Sequence, residues 1–213
     1  MTAQPGAPDA PLSSAVRLLP LAGHEPQERA DAARNRVRLL EAASRLVAER
    51  GAEHVTMEAV AAAAQVGKGT VFRRFGDRVG LMMALLDHAE SEFQQAMLSG
   101  PPPLGPGAPP VERLGAFGVG TVRHLMTYMD LYVQADGCAT RRYTTPSRIV
   151  RASHVLTLLR EAGVDGDLLL LTQTLMASLD PALLNYHLNV VHMPPERVEA
   201  GWLDLVARVA HRC

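Results

Sequence analysis

The chain has 213 residues, a formal charge of −1, 47% hydrophobic residues and a mean hydropathy of +0.02, a balance that excludes collagen, coiled-coil fibre and wholesale disorder. Only 4% of the residues are aromatic, so aliphatic side chains must fill the core, and an all-α fold is expected before a β-sandwich. The apolar runs, such as Leu168 to Leu171, are short of the roughly 20 residues that span a bilayer, and no membrane partner is expected.

The N-terminus shows no basic start followed by an apolar h-region. Two cysteines, Cys138 and Cys213, offer neither a disulfide framework nor a metal-ligand spacing. A cytoplasmic protein without metal or other cofactor is the expectation. The overall charge conceals a split, because residues 34–80 carry nine basic and five acidic side chains, while the remainder carries twelve and seventeen. A basic module joined to an acidic body suggests a polyanion at one end.

In chain order, residues 1–32 hold five prolines and lack sustained periodicity. They read as a disordered arm with a helical turn near Glu28 to Ala33. From Arg34, apolar residues Val37, Leu40, Ala43, Leu46 and Val47 recur at helical spacing up to Gly51. Thr56 is placed to cap a second, short helix with Met57, Val60, Ala61 and Ala64 on its apolar face. Gln65-Val66-Gly67 interrupts it, and Lys68 to Phe75 makes a third helix of about two turns. Asp77 caps a fourth, running to about Ser99 on Leu81, Leu85, Leu86, Ala89 and Phe93. Six prolines and three glycines between Gly100 and Pro110 define a loop. Beyond it, helices are expected over Val111–Met129, over Leu131–Ala135 and from Pro146 to Gly163. A long one, capped by Asp165 or Asp167 and kinked at Pro181, should reach about Val190, and a last one opens at Pro194-Pro195. About nine helices account for nearly the whole chain.

A helix followed by two short helices about a tight turn is a helix-turn-helix arrangement, in which the second short helix enters the DNA major groove. Two turns span roughly 12 Å, which fits a groove about 12 Å wide. Lys68, Thr70, Arg73 and Arg74 would face the duplex, while Val71 and Phe75 pack inward. Lys68 is the only lysine beside twenty arginines. Arg38, Arg45 and Arg50 read as solvated helix faces, whereas Arg34 and Arg36 are the better phosphate binders of that helix.

The stretch Val55-Thr56-Met57-Glu58-Ala59-Val60-Ala61-Ala62-Ala63-Ala64-Gln65-Val66-Gly67-Lys68-Gly69-Thr70-Val71-Phe72-Arg73-Arg74-Phe75, continuing into Asp77-Arg78 and Leu81, resembles the signature of TetR/AcrR-type transcriptional regulators. The resemblance implies an all-helical homodimer with an N-terminal three-helix DNA-binding domain and a C-terminal ligand-binding and dimerising domain. Here these would span residues 33–79 and 80–213. It implies a regulator, most often a repressor, that binds a palindromic operator in double-stranded DNA and is released by a small effector, and the apolar character of most candidate ligand-binding residues points to a hydrophobic one. Thr56, Lys68, Gly69, Thr70, Phe72, Arg73, Arg74 and Arg78 take the positions of the family's DNA-contacting segment, with Arg34 and Arg36 added from the preceding helix. Phe72 stands where the family usually has a tyrosine, which removes a hydroxyl contact to phosphate. Gln65 stands where glycine is frequent, and Gly67 replaces a capping Ser or Thr.

In the C-terminal part the candidate ligand-binding residues are Phe117, Thr121, Met126, Tyr128, Met129, Tyr132, Cys138, His154, Leu158 and Gln173. Leu179, Leu183, Tyr186, Val190, Trp202, Leu205 and Val209 are the candidate homodimer interface. Two other classes are open to the sequence. One is a small helical enzyme using Cys138 with His154 or His124, against which no orienting third group or nucleophile motif is found, so no catalytic residue is assigned. The other is an adaptor that uses the basic face to bind protein, without the steep salt dependence of phosphate contacts.

Overall fold

The computed structural model describes residues 25–135 and 145–210. By internal contacts the chain forms two units, residues 1–35 and residues 36–213. The described part of the first is the opening of helix α1 (Glu25–Arg50), where Arg34 pairs with Asp31. The helix starts at Glu25, so the last eight residues of the expected arm are helical.

In the second unit the rest of α1 leads through a 3-10 turn (Ala52–His54) to α2 (Met57–Ala63), α3 (Lys68–Phe75) and α4 (Arg78–Ser99). Thr56 and Asp77 cap α2 and α4, accepting the amides of Ala59 and Gly80 at 3.1 and 2.8 Å. Leu40, Ala43, Val55, Val60, Val71, Leu81 and Leu85 close an apolar core between these helices. At the α3–α4 joint, an added Cβ at Gly80 would lie 2.1 Å from the Phe75 carbonyl oxygen, so only glycine lets the two helices meet there.

After the proline-rich segment come α5 (Pro110–Ala135), bent at Tyr128 where φ is −117° and ψ 16°, and α6 (Pro146–Glu161). The two helical pieces expected over Val111–Met129 and Leu131–Ala135 meet at this kink, whose non-helical residue is Tyr128. The long helix expected to reach Val190 is divided. Asp167 caps α7 (Leu168–Ser178), which ends at Leu179, and Asp180 accepts the Ala182 amide to start α8 (Pro181–Asn185), which runs on as a π-helical turn (Tyr186–Val190). Proline at a first helical position restarts a helix at no hydrogen-bonding cost, whereas in an interior it would have to kink one. Leu168–Val190 is, by length and composition, apolar enough to cross a membrane, contrary to the reading of its runs as too short, but the break at Leu179–Asp180 divides it. Helix α9 (Pro195–Ala210) lies along α5.

A second core gathers Phe93, Met97, Leu114, Phe117, Leu125, Val155, Leu158, Leu175 and Trp202. The two cores meet along α4, whose Leu81 and Leu85 belong to the first and whose Phe93 and Met97 belong to the second. Tyr128 and Leu131 of α5 also join the first core. Helix α4 thus contributes its first turns to one core and its later turns to the other.

Candidate nucleic-acid interface and body cluster

The α2–α3 turn is set by backbone hydrogen bonds. The Val66 amide reaches the Ala61 carbonyl at 2.9 Å, and Gln65 takes φ 56°, the left-handed position that ends a Schellman turn. Gln65 thus occupies the conformation for which glycine is suited. Gly67 precedes α3 without a side-chain cap, and its φ of −66° is open to any residue. Val71 is completely buried and fixes the rotation of α3, leaving Lys68, Gly69, Phe72, Arg73 and Arg74 exposed and Thr70 half-buried. An added Cβ at Gly69 would meet nothing within 4 Å, so the backbone there is bare.

Lys68 pairs with Glu58 of α2, and its Nζ lies 5.4 Å from the centre of the Phe72 ring. The hydrogen bond from Lys68 is the main cause holding the Glu58 carboxyl below its usual range. Phe72, without a hydroxyl, therefore acts as a platform for the ammonium. Arg36 lies over the Phe75 ring at 5.8 Å. Arg34 lies in the other unit, engaged with Asp31.

Arg78 has a different position from the one its motif suggests. Its Nε donates to the Val55 carbonyl at 3.0 Å and its Nη2 to Ala52 at 2.7 Å, so the guanidinium ties the start of α4 to the segment before α2. The charge remains beside the exposed face, but its donors serve the fold first.

In the body, the ligand candidates separate. Phe117, Thr121, Met129, His154 and Leu158 are buried, with the Thr121 hydroxyl donating to the Phe117 carbonyl at 2.8 Å. Tyr132 is half-buried. Tyr128 packs on the head core instead. Met126 is 44% exposed, and exposed Gln173 accepts from Arg148 at 3.2 Å, so both lie on the surface. Neighbouring Leu125 and Thr172 take the inward positions, which leaves Met126 and Gln173 on the outer sides of α5 and α7. Cys138 lies outside the described residues.

What the sequence reading missed is an ion pair inside this core. Arg151 Nη2 donates to Glu90 Oε1 at 2.9 Å, and the Tyr132 hydroxyl donates to the same oxygen while standing 2.8 Å from His124 Nε2. Burial, the larger effect, lowers the proton affinity of Arg151, and Glu90 opposes it. His154 is held down to about 4, first by burial and then by the charge of Arg113. A signal was present: Leu86-Glu90-Phe93 and Arg151-Val155-Leu158 each follow core spacing, so opposite charges sit within two apolar stripes.

Two dimer candidates are core residues. Leu179 is buried, and Trp202 donates through its indole Nε1 to the carbonyls of Leu114 and Gly115 at 3.2 and 3.1 Å. A Cβ at Gly118 would stand 2.0 Å from the indole, so that glycine clears the space for it. An indole N–H needs a partner when buried, and bare helix backbone provides one. Leu205 and Val209 pack partly on the same core, while Leu183, Tyr186 and Val190 remain 40%, 53% and 61% exposed.

Residues 39–85 match the family model of bacterial regulatory proteins of the tetR family. The head is a TetR-family helix-turn-helix domain. The TetR-type fold extends over the body as well. A chain from Rhodococcus sp. described as a TetR-family transcriptional regulator superposes with a TM-score of 0.59 at 19% identity, over 84% of this chain and all of that one. A transcriptional regulator from Saccharomonospora viridis in complex with choline gives 0.61 at 18%, over 82% and 96%. The SmeT–triclosan complex gives 0.52 at 21%, over 82% and 90%. No curated protein matches the sequence.

Proposed function

We propose that the chain is a ligand-responsive DNA-binding transcriptional regulator, a repressor that binds a palindromic operator as a homodimer and lets go when a small effector enters the body. The observation that carries this reading is α3, a two-turn helix anchored by buried Val71, with basic side chains and the bare backbone of Gly69 turned to solvent within a tetR-family head. Lys68, Thr70, Phe72, Arg73 and Arg74 meet the major groove, Thr56 and Arg36 serve the flanking phosphates, and Arg78 positions the segment before α2. Lys68 must exchange Glu58 for DNA, which makes Glu58 a competitor for that contact. The exposed Leu183, Tyr186 and Val190 form the dimer face, and two heads about one helical turn apart then read a palindrome.

The choline and triclosan complexes support a body that accommodates small organic molecules. Helix α4 supplies the linkage, since it carries residues of both cores and a change around Phe93 moves Leu81 and Leu85. A regulator of this kind has no catalytic step and works in the cytoplasm, where its operator is.

Selection of duplexes from a random pool by the purified protein, followed by affinity measurements against salt, tests the reading. A palindromic winner with a steep salt slope is expected, and K68A/R73A should bind it about 100-fold or more weakly while the dimer persists, at about 1–3 kcal/mol for each lost contact. Unchanged affinity of the double variant would remove α3 from the interface.

A further inference from the structure

Of the buried polar side-chain atoms without a hydrogen-bond partner among the described residues, three belong to buried residues of the body core: Glu90 Oε2, Arg151 Nε and His154 Nε2. Their residues are only 8%, 7% and 8% exposed. They border one aromatic group. The Arg151 guanidinium lies over Phe93 at 5.0 Å, the His154 ring is 5.6 Å from Phe117, and Phe93 and Phe117 are 6.2 Å apart. Buried polar groups are nearly always paired, so three open valences on one aromatic cluster, contributed by α4 and α6, mark a place where a partner completes the set.

We propose that this cluster is the effector site and that it takes an uncharged aromatic alcohol, whose hydroxyl donates to Glu90 Oε2 and accepts from Arg151 Nε while its ring lies against Phe93 and Phe117. This rests on the reading of the body as an effector domain, and it replaces a purely hydrophobic ligand with one that has a polar anchor. Glu90 and Arg151 already neutralise each other at 2.9 Å, so an anionic group set on this pair would face the Glu90 carboxylate, while a cationic one would face Arg151 and the charge of Arg113 that acts on His154. A hydroxyl is both donor and acceptor, and a single one satisfies two of the three open groups, those of Glu90 and Arg151. Planar rings find edge and face contacts among Phe93, Phe117 and His154. Seating the ligand parts α4 from α6, and α4 continues into the head core.

Trp202 is the only tryptophan, and its ring centre is 6.4 Å from that of Phe117, so its emission reports on the site. The full chain is titrated with 2-naphthol, naphthalene and 2-naphthoate. Saturable quenching by 2-naphthol at least tenfold tighter than by naphthalene, with naphthoate weakest, is expected; no saturable quenching, or equal affinity for naphthol and naphthalene, overturns the proposal. The variant E90L/R151M, which exchanges the ion pair for apolar side chains, should still melt cooperatively and lose the preference for naphthol. A preference that survives in it also overturns the proposal. Release of the selected duplex is measured separately. Naphthol binding without release would leave the site standing and overturn the effector reading, whereas duplex binding with no naphthol binding would overturn the site and leave the DNA-binding reading standing.

Discussion

The head and the body are both assembled from apolar-striped helices, yet they treat charge in opposite ways. Every buried polar or charged residue among those described lies in the body: Glu90, Thr121, Arg151, His154 and Thr172. The head core is aliphatic, and its charges stand outside on α3. Its two short helices are fixed by the Thr56 cap on α2 and by buried Val60 and Val71, as a rigid reading surface requires. The body has a bend at Tyr128, a break at Leu179 and a π-helical turn, and its core holds polar groups that are not fully satisfied. A core of that kind gives up stability and gains states that a ligand can select.

The sharpest way to break this comparison is to neutralise one acid in each region. Glu90→Gln leaves Arg151 buried without its counterion and should destabilise the chain by about 3–5 kcal/mol in urea unfolding. Glu58→Gln removes the exposed partner of Lys68 and should leave stability unchanged while tightening duplex binding. Equal losses of stability from the two variants would mean that burial does not distinguish the regions.

Titration gives a second contrast. His154 is held down to about 4 in the fold, against an ordinary value of 6.5 in the unfolded chain. Above pH 6.5 both states are neutral there and the contribution is complete. Between pH 6.5 and 4 only the unfolded chain takes the proton, so stability falls with pH, by up to about 3 kcal/mol, and below about 4 this group causes no further loss. Unfolding measured at pH 7.5, 5.5 and 4.5 should show the fall in the native chain and a smaller one in His154→Gln. Parallel curves would assign the acid sensitivity to other groups.

A steric test follows at the α5–α9 contact. In Gly118→Ala the new methyl carbon would lie 2.0 Å from the Trp202 indole, and overpacking should cost about 2 kcal/mol, with a red shift of the tryptophan emission as the ring is displaced. An unshifted emission would show that Trp202 does not need the bare backbone.

Much of the head was legible in the sequence because its signals are local. Helix α3 runs from Lys68 to Phe75 as its pattern predicts, and Thr56 and Asp77 cap the helices they precede. Spacing could not show that Arg78 donates to carbonyls more than twenty residues earlier, since that bond depends on how α4 returns to the segment before α2. In the body the helices were legible and their partners were not. Trp202 looked like an interface residue because nothing nearby in sequence reveals the cleared backbone at Gly118. Glu90 and Arg151 were visible as charges within apolar stripes, but their pairing appears only when α4 and α6 are brought together. Pro181 was read as a kink, although Asp180 before it had the chemistry of a new start.

The smallest effect returns to the head, where Gln65 is the counterpart of Gly163 in the body. Both stand after a helix with positive φ, 56° and 67°, and in both cases the next amide reaches back five residues, Val66 to Ala61 at 2.9 Å and Val164 to Leu159 at 3.1 Å. The body uses glycine at this position and the head uses glutamine, which has a Cβ that the left-handed region disfavours by about 1–2 kcal/mol. Gln65→Gly removes that strain, while the greater freedom of glycine in the unfolded chain takes back part of the gain. A net stabilisation of about 0.5–1 kcal/mol is expected from urea unfolding, with operator affinity unchanged because Val71, not residue 65, fixes the rotation of α3. Gain of stability with loss of affinity would instead show that the strained turn sets the angle at which the recognition helix meets DNA.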